Sequence, residues 1–274
     1  MRSAISSREN PAVKNAVKLI SSAKHRKEQG LFFAEGVRLC TDAVKSGITV
    51  RQLFYTRQAM EKQESAVRLL QKAAGDVFEI SPEISQRLGD TQHPQGVFCV
   101  CERKEHEAFF RGKIGNHQRW IGLESIQDPS NMGTILRTAE ALGIGAALMT
   151  QDCCDIYSPK VLRGSMGAVF RLPVLSLPDA GGLLAFCRKK GLISYAAVPS
   201  QDAEPVTKCR FSGKEGNGAA IWIGNEGNGL KKETAAACDK RITIPMLGRA
   251  ESLNAAVAAS ILMWEMTRED GREG

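Results

Sequence analysis

The chain has no run of about 18 apolar residues, so it offers no candidate membrane span. Its N-terminus, MRSAISSRENPAVKNAV, lacks the apolar core of a secretion signal. The cytosol is therefore the expected compartment. Histidine is scarce: His25, His93, His106 and His117 are the only four, and none has a partner at helical ligand spacing. The eight cysteines form no paired C-x-x-C knuckles. Reduced thiols in or near a core are expected, and no metal site. No G-x-x-x-x-G-K-[ST] loop is present, which removes the reason to expect a nucleoside-triphosphate hydrolase. A strand followed by G-x-G-x-x-G and a helix is also missing, which argues against a standard dinucleotide fold. There is no G-x-S-x-G elbow, and His93, His106 and His117 lie away from the glycine-rich C-terminal part, so a Ser/His/Asp triad is poorly supported.

What remains is an ordinary globular composition. The 274 residues are 43% hydrophobic and 24% charged, enough for one large or two medium domains. The net charge of +7 is unevenly placed. Residues 1–60 hold 11 Lys and Arg against 4 Asp and Glu, and the rest of the chain balances. A basic front end beside a neutral remainder points to a polyanion contact there, with a solvated helix face as the plainer alternative.

Apolar periodicity and turn signals give alternating helices and strands. Residues 1–105 read as a small α/β domain. It opens with a helix from Pro11 to Ser22, apolar at Val13, Ala16, Val17 and Ile20, with Lys14, Lys18, Lys24, Arg26 and Lys27 as a basic face. A helix from Gln58 is expected to stop at Gly75, and Ser81-Pro82 to cap and start another. Residues 106–118 are charged, weakly periodic and glycine-bearing, and are expected to be a linker, or else to carry a surface helix around Glu105 to Phe110. From Trp120 the alternation restarts and predicts a second α/β domain, 119–274, with a parallel sheet covered on both faces.

Residues 219–264 hold the best site candidate. The apolar run Ala219 to Ile223 stops at Gly224-Asn225-Glu226-Gly227-Asn228-Gly229, Ile242-Thr243-Ile244 stops at Pro245, and Ser252-Leu253-Asn254 opens an almost wholly apolar helix. Ligands of open α/β sheets sit beyond the carboxyl ends of strands. The hexapeptide alone is weak, because residues 213–218 read GKEGNG in what looks like loop. It gains weight beside Asp128-Pro129-Ser130-Asn131-Met132-Gly133, a helix stripe of Met132, Ile135, Leu136, Ala139 and Leu142, and Arg137 standing off that stripe.

These three segments, in this order and spacing, resemble the motifs of the SpoU (TrmH-like) RNA ribose 2′-O-methyltransferases. Phe33-Ala34-Glu35-Gly36 and Pro94-Gln95-Gly96 resemble the small RNA-binding domain that often precedes that catalytic domain and is similar to certain ribosomal proteins. The resemblance implies an α/β fold whose C-terminal part forms a trefoil knot, with S-adenosylmethionine as cofactor at Gly224, Ile244 and Leu253. It implies Arg137, Asn131, Glu226, Ser252 and Asn254 as catalytic residues. A guanidinium with a pKa above ~12 is a poor base, so Arg137 is expected to bind phosphate and stabilise a developing alkoxide, the base role staying open. Asn131 would position Arg137 or the ribose, Glu226 the loop or Arg137, and Ser252 and Asn254 would bond cofactor and substrate. Asn131 and Ser252 also fit plain helix caps, and Glu226 a mere loop anchor. Arg163, before Gly164-Ser165-Met166-Gly167, fits an RNA-facing or a surface role equally.

The expected substrate is ribosomal RNA, with transfer RNA second and a non-catalytic RNA-binding protein of the same fold as the rival class. The apolar helix from Leu253 to Met266 is expected to form a homodimer face, packing within the monomer being the alternative.

Overall fold

The computed structural model describes residues 4–90, 93–112, 118–211 and 218–268. It forms two compact units, one of residues 1–104 with 155–170, the other of 105–154 with 171–274. Among the described residues, no helix is long and apolar enough to cross a membrane.

The first unit is built on strands β1 (Leu31–Glu35), β2 (Val50–Tyr55), β3 (Ala74–Glu79) and β4 (Val97–Glu102). They run in the order β1-β4-β2-β3, with β4 antiparallel to both neighbours and β2 parallel to β3. Central β4 is the apolar run VFCVCE, buried along nearly all its length. The Pro11–Ser21 helix buries Val13, Ala16 and Leu19, and shares a core with Phe33, Phe54, Phe98 and Val100. Ser81 caps the Pro82–Leu88 helix by accepting from the Ile84 N–H. The expected stop at Gly75 is wrong. The helical stretch is two helices, Arg57–Lys62 and Glu64–Ala73, and Gly75 lies inside β3, where a Cβ would come within 3.0 Å of the Arg51 carbonyl oxygen.

Two expectations are corrected by one ion pair. Arg26, counted in the basic face, is 4% exposed. Its Nε donates to Asp155 Oδ2 at 2.6 Å and its Nη1 to the carbonyls of Leu19 (2.6 Å) and Ile20 (3.1 Å). A buried guanidinium is tolerable because its donors are met this way. Asp155 opens the segment 155–170, expected in the second domain, which belongs to the first unit. Tyr157 and Phe170 of that segment stack on Phe32, with ring centroids 4.9 and 5.6 Å away. Lys104 Nζ donates to the Phe170 carbonyl.

The second unit is a parallel sheet of β5 (Arg119–Leu123), β6 (Ala146–Thr150), β7 (Val174–Leu177), β8 (Leu192–Ala197), β9 (Glu204–Pro205), β10 (Gly218–Ile223) and β11 (Lys240–Thr243). Its order is β7-β6-β5-β10-β8-β11-β9, and every pairing is parallel. β5, β6 and β10 are buried at every position, as the continuous apolar runs of a doubly covered sheet require. Gly122 of β5 leaves room for the Trp222 side chain of β10, its paired residue on the neighbouring strand. A Cβ there would sit 2.4 Å from the Trp222 ring. The short strand β9 forms one edge of the sheet. Within the expected linker the alternative holds: Glu107–Arg111 is a helix, and its Phe110 packs edge-on to Trp120. Residues 113–117 and the hexapeptide copy at 213–217 lie outside the described residues.

Candidate functional site at the carboxyl ends of the parallel strands

A parallel sheet brings all its strand ends to one edge. There the loop after β10, the segment after β11 and the start of the Ala255–Thr267 helix enclose a cavity of about 360 Å³. That lies within the ~300–1,000 Å³ of small-molecule and cofactor sites. Gly224, Glu226, Ile244, Ser252 and Leu253 all line it. So do Val198 and Pro199, which sequence reading did not nominate although they follow the end of β8.

The glycine loop closes on itself. A Cβ on Gly224 would lie 2.0 Å from the Gly229 carbonyl carbon and 2.1 Å from the Leu230 nitrogen, so only glycine fits beneath the returning backbone. Gly229 makes that return at φ +67. Asn225 pins the turn. Its Oδ1 accepts from the N–H of Gly227 (3.0 Å) and Asn228 (3.2 Å), and its Nδ2 donates to the Ser125 carbonyl (2.8 Å). Ser125 adopts a left-handed φ of 56, uncommon away from glycine, and donates through Oγ to Asp152 at 2.6 Å.

Glu226 joins this loop to the other two segments. Its Oε1 accepts from the Asp128 N–H (2.9 Å) and from Asn131 Nδ2 (3.1 Å), and its Oε2 from the Gln127 N–H (3.2 Å). Asn131 Oδ1 accepts in turn from Asn254 Nδ2 at 3.0 Å. Burial alone would raise the Glu226 pKa, but the bonds from Asp128, Asn131 and Gln127 outweigh it and hold the carboxyl below its ordinary value. The carboxylate sits at the N-terminus of the Pro129–Ala141 helix, where negative charge is also favoured by the helix dipole.

The structure reassigns the helix caps. Asp128, not Asn131, caps the Pro129–Ala141 helix, accepting from the Ser130 N–H. Asn131 is inside the helix and 8% exposed, and its amide engages Glu226 and Asn254 rather than Arg137. Asn254, not Ser252, caps the C-terminal helix, its Oδ1 accepting from the N–H of Ala256 and Val257. With Oδ1 committed to the cap and Nδ2 to Asn131, Asn254 holds the site together from within. Arg137 stands further along the same helix as Asn131. It is exposed and has no hydrogen bond or ion pair among the described residues, and it does not line the cavity. Arg163 falls in the first unit and pairs with Asp90 at 2.6 Å.

Sequence reading also missed Glu124. It is 1% exposed at the end of β5 and accepts from the Lys231 N–H (2.9 Å) and Thr234 Oγ1 (2.6 Å), fixing the chain that leaves the glycine loop. A carboxylate just past an apolar strand was the available signal. Asp152, past β6, resembles it. Burial would raise its pKa, but bonds from Ser125 and Thr150 and the Lys231 charge lower it overall.

A glycine loop closed over a strand end, tied to two helix starts above a cavity, defines a ligand-binding α/β protein whose site is made of backbone as much as of side chains. Residues 118–264 match the SpoU rRNA Methylase family, and residues 10–99 match the MRM3-like substrate binding domain. The chain belongs to the SpoU family. It is 31% identical to an uncharacterized tRNA/rRNA methyltransferase of Synechocystis, over 97% of this chain and 93% of that one. It is 28% identical to the 23S rRNA (guanosine(2553)-2′-O)-methyltransferase RlmP of Bacillus subtilis, over 96% and 98%. The crystal structure of an AdoMet-bound rRNA methyltransferase from Sinorhizobium meliloti superposes with a TM-score of 0.85 at 26% identity, covering 97% of this chain and 98% of that one.

Gly224→Ala is expected to cost about 1–3 kcal/mol, as overpacking against fixed backbone does, read as a shift of the urea midpoint. An unchanged midpoint would show that the loop accommodates a side chain. The Glu226 carboxylate, with its folded pKa lowered, contributes stability that is complete above the ordinary glutamate pKa of ~4.3 and is lost as pH falls through the folded value. The gap in thermal midpoint between wild type and Glu226→Gln should therefore be widest near neutral pH and close in acid. A gap that is constant down to acid pH would contradict the charged tie.

Proposed function

We propose that this chain methylates a ribose 2′-hydroxyl in ribosomal RNA with S-adenosylmethionine as methyl donor. The observation that carries this reading is the Glu226–Asn131–Asn254 relay, which fastens three separate segments of the chain around one strand-end cavity. The names of its full-length relatives and the AdoMet-bound neighbour support the same activity.

The cavity fits the cofactor. Ile223, Ile242, Ile244, Leu253 and Leu262 give apolar walls for a flat heterocycle, and the ends of β10 and β11 offer backbone groups without intervening side-chain bulk at Gly224. Gly224, Ile244 and Leu253 are the residues we assign to holding it. When bound, S-adenosylmethionine supplies an electrophilic methyl group on a sulfonium. We assign to Arg137, an exposed cation on the same helix as Asn131, the binding of a phosphate next to the target ribose and the stabilisation of the alkoxide as its proton leaves. Glu226 is a poor proton acceptor, because its carboxylate already accepts from Asp128, Asn131 and Gln127 and its pKa is lowered. It organises the loop. Asn131 and Asn254 position Glu226. Ser252, exposed on the cavity wall, is available to bond cofactor or ribose.

The assignment extends to the whole chain. The unit of residues 1–104 with 155–170 binds RNA, and the unit of 105–154 with 171–274 catalyses. The match of residues 10–99 to a substrate binding domain and the charge excess of residues 1–60 support this. A knotted C-terminal segment belongs to the reading. It is supported by the return of the chain from β11 to a helix that packs against the Pro129–Ala141 helix and against β5 and β10 in mid-sheet. None of the eight cysteines is in a disulfide, which agrees with a reducing compartment such as the cytosol.

A homodimer through the C-terminal helix completes the site's surroundings. One side of that helix meets the Pro129–Ala141 helix, with Ser260 Oγ 3.4 Å from Thr138 Oγ1. The other leaves Val257 48% and Trp264 57% exposed, and Leu247 of the preceding segment is 100% exposed. Val257 and Trp264 are seven residues apart and so share one helix face, and exposed large apolar side chains on one face support an interaction surface.

Arg137→Ala should keep S-adenosylmethionine binding by calorimetry and RNA binding by filter retention while losing about 100-fold or more in methyl transfer. Wild-type turnover in that variant would remove Arg137 from the chemistry. Trp264→Glu with Val257→Glu should convert a dimer to a monomer in sedimentation equilibrium. A wild-type protein that sediments as a monomer would rule the dimer out.

A further inference from the structure

The first unit contains a cavity that the proposed reaction does not use. It measures about 400 Å³ and lies between the end of β1, the segment 93–95 and the end of the Pro159–Ser165 helix. Leu39, Leu162 and Met166 give it an apolar lining, and Arg38, Gln95 and Arg163 bring hydrogen-bond donors.

Three features show that this lining is constructed. Gly36 has φ +95, and its position brings the Val37 N–H to within 3.0 Å of Gln95 Oε1. With Oε1 used as acceptor, Gln95 keeps Nε2 as a donor. Met166 closes its helix in the left-handed region, at φ 51 and ψ 40, a conformation that costs roughly 1–2 kcal/mol for a residue with a Cβ. Arg163 pairs through Nη2 with Asp90, but its Nη1 is buried and has no hydrogen-bond partner among the described residues. An unsatisfied buried donor costs roughly 1–3 kcal/mol, so this atom calls for an acceptor that the chain itself does not provide.

The chemistry of the lining selects the ligand. Glu35 and Asp42 also line the cavity, which disfavours a bare phosphate. A flat ring suits the apolar side chains. Two adjacent acceptors suit a guanidinium paired with an amide donor, and the carboxylates suit N–H groups on the neighbouring edge of the same ring system. Guanine has this pattern, with O6 and N7 as acceptors and N1–H and N2–H as donors. Single-stranded RNA is commonly read by splaying out a base and bonding its edges in such a pocket.

We propose that this cavity receives an unstacked guanine of the RNA substrate, with Arg163 Nη1 and Gln95 Nε2 donating to its O6/N7 edge. Arg163 and Gln95 are then specificity-determining residues remote from the methyl-transfer site. The inference rests on the reading of the chain as an RNA methyltransferase, and its test separates the two.

The full-length protein, with methionine methyls labelled and its other cavity filled by S-adenosylhomocysteine, is titrated with guanosine 5′-monophosphate and, separately, adenosine 5′-monophosphate. The Met166 methyl signal, assigned from Met166→Leu, should move with the guanine nucleotide and not with the adenine one, and Arg163→Met should abolish the movement. On ribosomal RNA, Arg163→Met and Gln95→Ala should each raise the RNA KM about tenfold or more while kcat, S-adenosylmethionine affinity and thermal midpoint stay at wild-type values. Gln95 is exposed, so its variant provides the measurement if Arg163→Met unfolds. A Met166 signal that ignores both nucleotides or follows both alike overturns the proposal, as does a wild-type RNA KM in the two variants. Failure of the wild-type protein to methylate RNA would overturn the functional reading instead, and the nucleotide titration would still decide the pocket.

Discussion

The second unit depends on one carboxylate. Glu226 accepts from two backbone N–H groups at the start of one helix and from Asn131 inside it, and Asn131 accepts from the residue that caps another helix. Each bond alone is worth only a net ~1 kcal/mol or a little more. Their value is geometric. Residues 127–131, 225–229 and 254 are far apart in the chain, and the parallel sheet alone would leave their loops free to move. Shared acceptors turn three loops into one wall. Because the carboxylate must stay ionised to accept from several donors, the same bonds that lower its pKa remove it from the list of bases.

Close backbone approach is the second constraint. Gly122 lets the Trp222 ring lie flat over the neighbouring strand, and Gly224 lets the loop return across the strand end. Both depend on the absence of a Cβ. A site built this way offers a ligand peptide groups as well as side chains, and it needs no dinucleotide-type glycine fingerprint. Arg137, on the same helix as Asn131, is exposed and has no ion pair among the described residues.

Much of this was legible in residue order. Apolar runs marked the strands of the parallel sheet, the strand-end rule led to residues 219–264, and the family resemblance led to Gly224, Ile244 and Leu253 within that segment, which line one cavity. Roles that turn on partners were not legible. Asn131 and Ser252 fit the pattern of caps, yet Asp128 and Asn254 do the capping, because a shift of two or three residues in where a helix starts is decided by which side chain reaches the first free N–H. Arg26 sits in a basic run and looked solvent-facing. Its burial is set by Asp155, more than a hundred residues away in the chain. Gly75 looked like a helix stop and is a strand residue, since the pairing of β3 with β2 overrides local preference.

The sequence by itself determined the α/β class, the two-part organisation, the glycine loop and the family. These are properties of periodicity and of short motifs, and both are local in the chain. The tertiary structure decided that residues 155–170 belong with the first unit, that Glu226 holds three segments together, and that Arg163 keeps an unmet donor beside a cavity. The reason is that each of these depends on the distance between groups remote in sequence, and a hydrogen bond exists or fails within a few tenths of an ångström that no spacing of residues along a chain encodes.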